Sequence, residues 1–320
     1  MKRTALKSEH VWISIFSFNR GLYLANLLKS IWSNFPVGIR IEIFDDDSND
    51  PLTLAVLELA QRAGVLVRNS DKKQSSLRNG NFRSNMQHAF EDSEASLHLF
   101  LEDDTQIVRD VCLDELEQMK QFLQDGTTNS PLLATHFLKH SIERRGKNGT
   151  FNRVQVVDSG KASWYQMFKG SGEPVFWTAI PTFDPIRLRA SGWRFGSHGS
   201  ENSAFAKSAG WAPMPMWLHP FVSYLPWPES FRDRGKTISQ VLWERRRTSF
   251  NPYAPMVKKE MDIFLSRDVS ESIPYAEDWL HTEDPRVKKP WKFSGFTEAP
   301  RLVQGASRVE SLVARLFSQT

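Results

Sequence analysis

The chain predicts an α/β fold, a mostly parallel sheet flanked by helices, followed by a less regular C-terminal region. Three observations carry this reading. Short apolar runs alternate with segments of helical period through the first 130 residues. Two of those runs end abruptly in acids, as Asp45-Asp46-Asp47-Ser48-Asn49-Asp50 and as Glu102-Asp103-Asp104. Beyond the strand predicted at 132–138 the alternation gives way to a stretch rich in Gly, Pro and aromatic residues.

The elements follow in order. Residues 11–18 read as a strand, and 21–32 as a helix with Leu24, Leu27, Leu28 and Ile31 on one face. Ile39, Ile41 and Ile43 alternate with polar residues in a second strand, 39–44. Asp50 and Pro51 suit the cap and first position of a helix over 52–64. A short strand at 65–68, a polar loop, a helix over 79–94 and a strand at 97–101 come next. A helix at 114–123 and a strand at 132–138 complete the regular part. Such alternation implies parallel strands with helices on both faces. Further on, 142–150 reads as a hairpin tip, 154–157 as its returning strand, 200–209 as a short helix and 214–225 as extended chain. Segment 161–185 shows no clear period. The tail reads as irregular until 307–317, where Val309, Leu312, Val313, Leu316 and Phe317 form a stripe expected to pack as a terminal helix.

At 320 residues the chain can bury a sizeable core, as one large domain or as two lobes. Its 40% hydrophobic and 24% charged residues fit a soluble globular protein. No apolar run approaches the ~20 residues a membrane span needs, and the basic, polar start lacks a signal-peptide core. A cytoplasmic protein is expected. The single Cys112 excludes an internal disulfide framework and a Cys-rich zinc site. Asn148-Gly149-Thr150 reads as a turn. The net charge of +4 is mild, with basic residues frequent in the C-terminal part, among them Arg245, Arg246, Arg247, Lys258 and Lys259. Such a surface suits phosphate-rich substrates or anionic headgroups, and a solvated basic face competes equally. Nucleic-acid binding is disfavoured, because the basic residues converge on no recognisable helix or aromatic platform. Nine of the eleven Trp lie between Trp164 and Trp291, where they serve either sugar-facing walls or core. Trp164, Trp193 and Trp211 are the wall candidates.

The acids carry the chemistry. Three adjacent carboxylates at a strand end repel one another unless a cation sits among them. A divalent metal shared with a phosphate-bearing substrate is the usual solution, and in open α/β sheets that edge is where ligands bind. A strand leaving into a polar loop explains one such triplet, but two clusters on corresponding strand ends favour a site. Asp50 alone accounts for a helix cap, so the surplus acids are free to accept from a base N–H or a ribose hydroxyl.

In this order the residues resemble a GT-A fold glycosyltransferase, closest in style to the family 2 enzymes. Ser17-Phe18-Asn19-Arg20 matches a Thr-Tyr-Asn-Arg-like start, and Asp45-Asp46-Asp47-Ser48 an Asp-Asp-Gly-Ser-like turn with Asp in place of Gly. Asn79, Gly80, Arg83 and Asn85 are similar to the pattern on the helix before the metal motif, and Glu102-Asp103-Asp104 stands for Asp-x-Asp. The resemblance covers roughly the first two-fifths of the chain by element order. It implies a GT-A-type, Rossmann-like nucleotide-sugar half over 1–130, an acceptor and catalytic half over 131–250, and a C-terminal extension over 251–320.

What the resemblance implies for individual residues follows. Asp46, with Asp45, would accept from uracil or another base, Asn19 or Arg20 would line that pocket, and Arg83 would meet a donor phosphate. Asp104 would bind Mn²⁺ or Mg²⁺, while Asp103 and Glu102 hold ribose, donor sugar or metal-bound water, Glu102 also being a candidate ligand. His219 is the candidate third ligand and His198 its alternative. In Gly192-Trp193-Arg194-Phe195-Gly196-Ser197-His198-Gly199-Ser200-Glu201-Asn202 the family's second acid is Asn202, so Glu201 is the candidate base. A first-turn helix acid is the plainer reading of Glu201. The implied activity is metal-dependent, hexosyltransferase-type transfer from a nucleotide donor, a UDP-sugar above others, to the hydroxyl of a glycan, lipid-linked or other acceptor. Inversion follows from family style. Peripheral membrane contact through the basic C-terminal part is compatible. Asn202 motivates the alternative of a non-catalytic nucleotide- or glycan-binding protein. A sugar nucleotidyltransferase would need a Gly-rich phosphate loop that Phe18-Asn19-Arg20-Gly21-Leu22 lacks. A phosphohydrolase using Asp45 and Asp47 rests on their spacing alone.

Overall fold

Strand β1 (Val11–Ser17) is buried along its whole length, and that fixes its place inside the sheet. Seen in a computed structural model, it pairs in parallel with β2 (Arg40–Asp45) on one side and β4 (Leu97–Glu102) on the other. The structure describes residues 7–69, 81–124, 132–137, 153–158, 163–168, 181–195, 216–225, 237–245, 252–267, 275–283, 287–288, 292–293 and 299–317. Outside β2 lies β3 (Leu66–Asn69), again parallel. Helices α1 (Gly21–Asn34), α2 (Pro51–Arg62) and α3 (Phe82–Glu91) separate these strands in the chain. The alternation predicted for the first half is therefore present, with its strands parallel.

Beyond β4 the sheet is mixed. The ten-stranded sheet runs β3-β2-β1-β4, then β9 (Pro181–Phe183), β6 (Leu132–His136), β10 (Met216–Tyr224), β8 (Ser163–Phe168) and β7 (Arg153–Asp158). The short β5 (Thr105–Ile107) pairs antiparallel with the end of β10, and β9 runs antiparallel between β4 and β6. Strand β9 thus bonds to strands from both before and after the boundary expected near residue 130. Helices α4 (Leu113–Gln124), α5 (Pro185–Ala190), α6 (Ile238–Arg245), α7 (Lys258–Ser266), α8 (Ala276–Trp279) and α9 (Arg301–Phe317) complete the described elements, with a two-stranded ribbon of β11 (Val287–Lys288) and β12 (Lys292–Phe293). No helix among the described residues is long and apolar enough to cross a membrane.

Each face of the sheet buries its own core. Ile13, Ile15, Leu99 and Leu101 from the strands meet Leu24, Leu27, Leu57 and Met119 from the helices in an aliphatic cluster. The other face is aromatic, with Phe16, Phe44, Phe100, Phe183, Trp193 and Phe195 around α3. Trp193 is thus core, whereas the Trp164 side chain and Trp211 lie outside what is described. A Cβ at Gly21 would come within 2.6 Å of the Thr53 backbone nitrogen, so glycine lets α1 start directly against α2.

Three sequence expectations need correction. The tail is not irregular up to 307, since α6, α7, α8 and the first turns of α9 occupy it. Residues 163–168 and 181–183, read as aperiodic, are strands. The stripe of α9 does not pack: Val309, Leu312, Val313 and Leu316 are exposed, while polar Ser307 is buried. Segments 142–150 and 200–209 lie outside the described residues.

One buried ion pair pins α4 to β10. Arg109, fully buried, donates through Nε to the Pro220 carbonyl (2.9 Å) and through Nη1 to Glu115 Oε2 (3.0 Å), with Nη2 on Oε1 as well. Burial alone would raise Glu115, but the Arg109 guanidinium and the His219 ring bonded to it hold the carboxyl at about 2. A carboxyl pulled below its unfolded value gives stability above about pH 4.5 that is lost as pH falls toward about 2. Glu115→Gln leaves Arg109 buried without its charge partner, so urea unfolding at neutral pH should show a loss of about 3–5 kcal/mol. That difference should shrink as both proteins are acidified through this window. A constant difference would contradict the assignment.

Candidate active site

The carboxyl end of β1 lies between the two acidic clusters. Ser17 is in register with Asp45 on one side, and Phe16 with Glu102 on the other. Pairing continues one step past the strands, as Asp46 N–H donates to the Ser17 carbonyl (2.9 Å) and Asp103 N–H to the Phe16 carbonyl (3.1 Å). With strands ~4.8 Å apart, the clusters face each other across roughly 10 Å. The chain leaves β1 toward β2 and returns on the far side as β4, so this edge is a topological switch point, where a crevice opens.

The loops around the crevice are tied to each other. Asn19 (φ 49°) and Asp47 (φ 59°) adopt left-handed backbone, which Asn and Asp tolerate best after glycine. The Asn19 side-chain oxygen accepts from Asn49 N–H (2.8 Å) and Asp50 N–H (3.0 Å), and its amide donates to Asn49 Oδ1 (2.8 Å). Asp45 accepts from Ser48 N–H (2.8 Å) and from the Ser48 hydroxyl, which holds the turn; burial raises its pKa while both Ser48 bonds oppose this. Asp50 caps α2 through Thr53 N–H (2.8 Å). Asn19 and Asp45 are thereby struts of the two loops. Asp46 accepts from Asn81 N–H (2.9 Å), fastening the start of α3 to the tip of β2. Arg83 follows in the first turn of α3, its buried Nε without a hydrogen-bond partner.

On the other flank the cation among the acids is Arg20. Its Nη1 donates to Asp103 Oδ1 (2.9 Å) and lies 2.8 Å from Asp104 Oδ2. The second Asp103 oxygen accepts from Phe18 N–H (3.0 Å) and Ser17 Oγ (3.1 Å). Burial alone would lower the Arg20 pKa, but Asp104, Asp103 and Glu102 together push it up, so the guanidinium stays charged. Glu102 is pushed up to about 8, by burial and then by Asp104, against the pull of Arg20. Asp103 is pushed up to about 6, chiefly by burial, with Arg20 opposing. Asp104 Oδ1 is buried and has no partner.

Among the described residues no three His, Cys, Asp or Glu side chains group around a metal position. The residues nevertheless fit a divalent cation at Asp104. One or two carboxylates completed by substrate phosphates are how Mg²⁺ is commonly held, and the orphaned Asp104 oxygen beside Glu102 offers that donor set. The structure does not bring His219 to this group. Its Nε2 is bonded to Glu115, and it precedes Leu225, whose N–H bonds the Asp104 carbonyl (2.7 Å), by six residues of β10, or roughly 15–20 Å. Glu201 and His198 lie outside the described residues.

Several contributors were not picked out from sequence. Ser17 and the Phe18 N–H aim Asp103, and Ser48 aims Asp45. Tyr224 lies at the acids across the β5–β10 pairing, its hydroxyl pKa raised by burial and then by Glu102 and Asp104. The extended stretch at 214–225 was legible, but not its antiparallel partner.

No family model and no curated protein matches the chain. Among solved structures, residues 1–349 of TarS from S. aureus are 15% identical with a TM-score of 0.43, over 68% of this chain and 60% of that one. The same segment in complex with UDP-GlcNAc is 14% identical with a TM-score of 0.45, over 74% and 64%. The mannosyltransferase PcManGT from Pyrobaculum calidifontis, in complex with GDP-Man and Mn²⁺, is 13% identical with a TM-score of 0.44, over 75% and 65%. The chain thus spans less than two thirds of the length of each.

Arg20→Ala removes the guanidinium paired with Asp103 and Asp104, so it should lower stability by about 3 kcal/mol or more. Thermal melting with added Mn²⁺ should recover part of the loss, since among the described residues the acids then have no other cation paired with them. Unchanged melting would place the stabilising charge elsewhere.

Proposed function

We propose that this chain is a GT-A-type glycosyltransferase that moves a sugar from a nucleotide donor, a UDP-sugar, to an acceptor hydroxyl. The observation that carries it is the pair of carboxylate clusters facing each other across the end of β1, one of them holding a buried oxygen without a partner. The resemblance of Ser17-Phe18-Asn19-Arg20, Asp45-Asp46-Asp47-Ser48 and Glu102-Asp103-Asp104 to family 2 enzymes supports the same reading.

The residues divide the work. Asp46, bound to the Asn81 N–H, stands where a nucleoside base is recognised, on the rigid corner made by Asn19, Ser48 and Asp45. Arg83 supplies a guanidinium edge for a donor phosphate. Arg20 holds Asp103 and Asp104 in place, so Asp103 acts as a positioning residue whose oxygens are held by its own chain. A Mn²⁺ or Mg²⁺ ion held by Asp104 beside Glu102 would neutralise charge on the departing diphosphate. Glu201 is the base that takes the acceptor's proton in an inverting attack.

Isothermal titration with UDP and Mn²⁺ checks the donor half. Asp104→Asn should abolish the metal-dependent part of the affinity, and Arg83→Ala should weaken UDP by about tenfold or more, as expected for one charge-assisted hydrogen bond. Affinity unaltered in both would end the proposal. In donor turnover assays Glu201→Gln should spare UDP binding and slow the rate by ~10²-fold or more. Binding of UDP-sugars without turnover, unaltered by Glu201→Gln, would instead identify a non-catalytic binding protein.

A further inference from the structure

We infer that helix α9 docks this protein on an anionic membrane surface. The helix is held by the wrong side for a packed amphipathic element. Its polar residues face α6: Ser307 Oγ lies 2.6 Å from Thr237 Oγ1, and Glu310 accepts from Ser239 N–H (3.1 Å) and the Ser239 hydroxyl. Its apolar face points outward, with Leu302 88%, Val309 59%, Leu312 60% and Leu316 69% exposed. At about 100° per residue these positions fall on one stripe. On the neighbouring helix α6, Ile238 and Leu242 are exposed as well.

The charges decide what covers the stripe. Arg301 and Arg308 are exposed, one heptad apart, and the sequence repeats the spacing at Arg315. This row flanks the stripe on the side away from Glu310. The one carboxylate of the helix, Glu310, is occupied by Ser239. A bare apolar stripe edged by arginines is the pattern of a helix lying in the interface of an anionic bilayer. A second copy fits less well. Antiparallel pairing on the stripe sets the arginine row against its own copy, and parallel pairing directs it at the flank covered by α6.

Co-sedimentation of the full chain with vesicles, without nucleotide, tests this apart from the donor site. Phosphatidylcholine vesicles should pull down little protein. Vesicles with about 30% phosphatidylglycerol should bind at least tenfold more, and salt should weaken the effect. Leu312→Ser with Leu316→Ser should lose binding while keeping its thermal melting. Leu302→Ser with Val309→Ser serves the same purpose should the first pair fail to fold. Arg301→Glu with Arg308→Glu should lose the preference for anionic lipid. No gain with phosphatidylglycerol would overturn the inference. So would self-association of the wild type in sedimentation velocity that the leucine substitutions abolish.

Discussion

Three carboxylates in succession at the end of a buried strand need a counter-charge, and Arg20 supplies it. The guanidinium reaches from the loop after β1 to Asp103 and Asp104 on the loop after β4. Burial would make this costly, yet the summed acid charge keeps the arginine ionised. The ion pair therefore fixes both loops at the mouth of the crevice. It leaves Asp104 with one engaged oxygen and one bare.

Among the described residues the opposite wall holds no ion pair. There Asn19, Ser48, Asp45 and Asp50 exchange short-range hydrogen bonds with backbone N–H groups, and two residues of that corner take left-handed backbone. One wall thus sets its acids against a guanidinium, and the other aims its acids with backbone N–H groups, so the two ends of the crevice offer a ligand different partners. The Asn81–Asp46 bond fastens the start of α3 to this second wall, with the unpartnered Nε of Arg83 in its first turn. The proposed roles follow from this division.

How much of this was legible depended on how local the signal was. The periods of β1, α1, β2, α2 and β4 reflect burial of consecutive residues, so the parallel half could be read directly. The acid clusters were legible for the same reason. Their counter-charge was not, because Arg20 and Asp103 stand 83 positions apart in the chain. Sequence reasoning assigned Asn19 and Arg20 to a ligand pocket, whereas their side chains are first of all engaged by the protein. His219 resembled a ligand by motif, but the buried Arg109–Glu115 pair draws it to α4. In α9 the helical period was visible, but not which face would pack. Short segments such as β5, β9 and α8 carry too few residues to show a period at all.

Both acidic clusters face one cleft at the carboxyl end of β1. The most direct measurement is a crystal structure with UDP and Mn²⁺, located by the anomalous scattering of manganese. The metal peak is expected at Asp104, the diphosphate beside it, and the uracil ring at Asp46 on the far side of β1. A nucleotide bound away from the carboxyl end of β1, or a metal peak at His219 and Glu115, would contradict it.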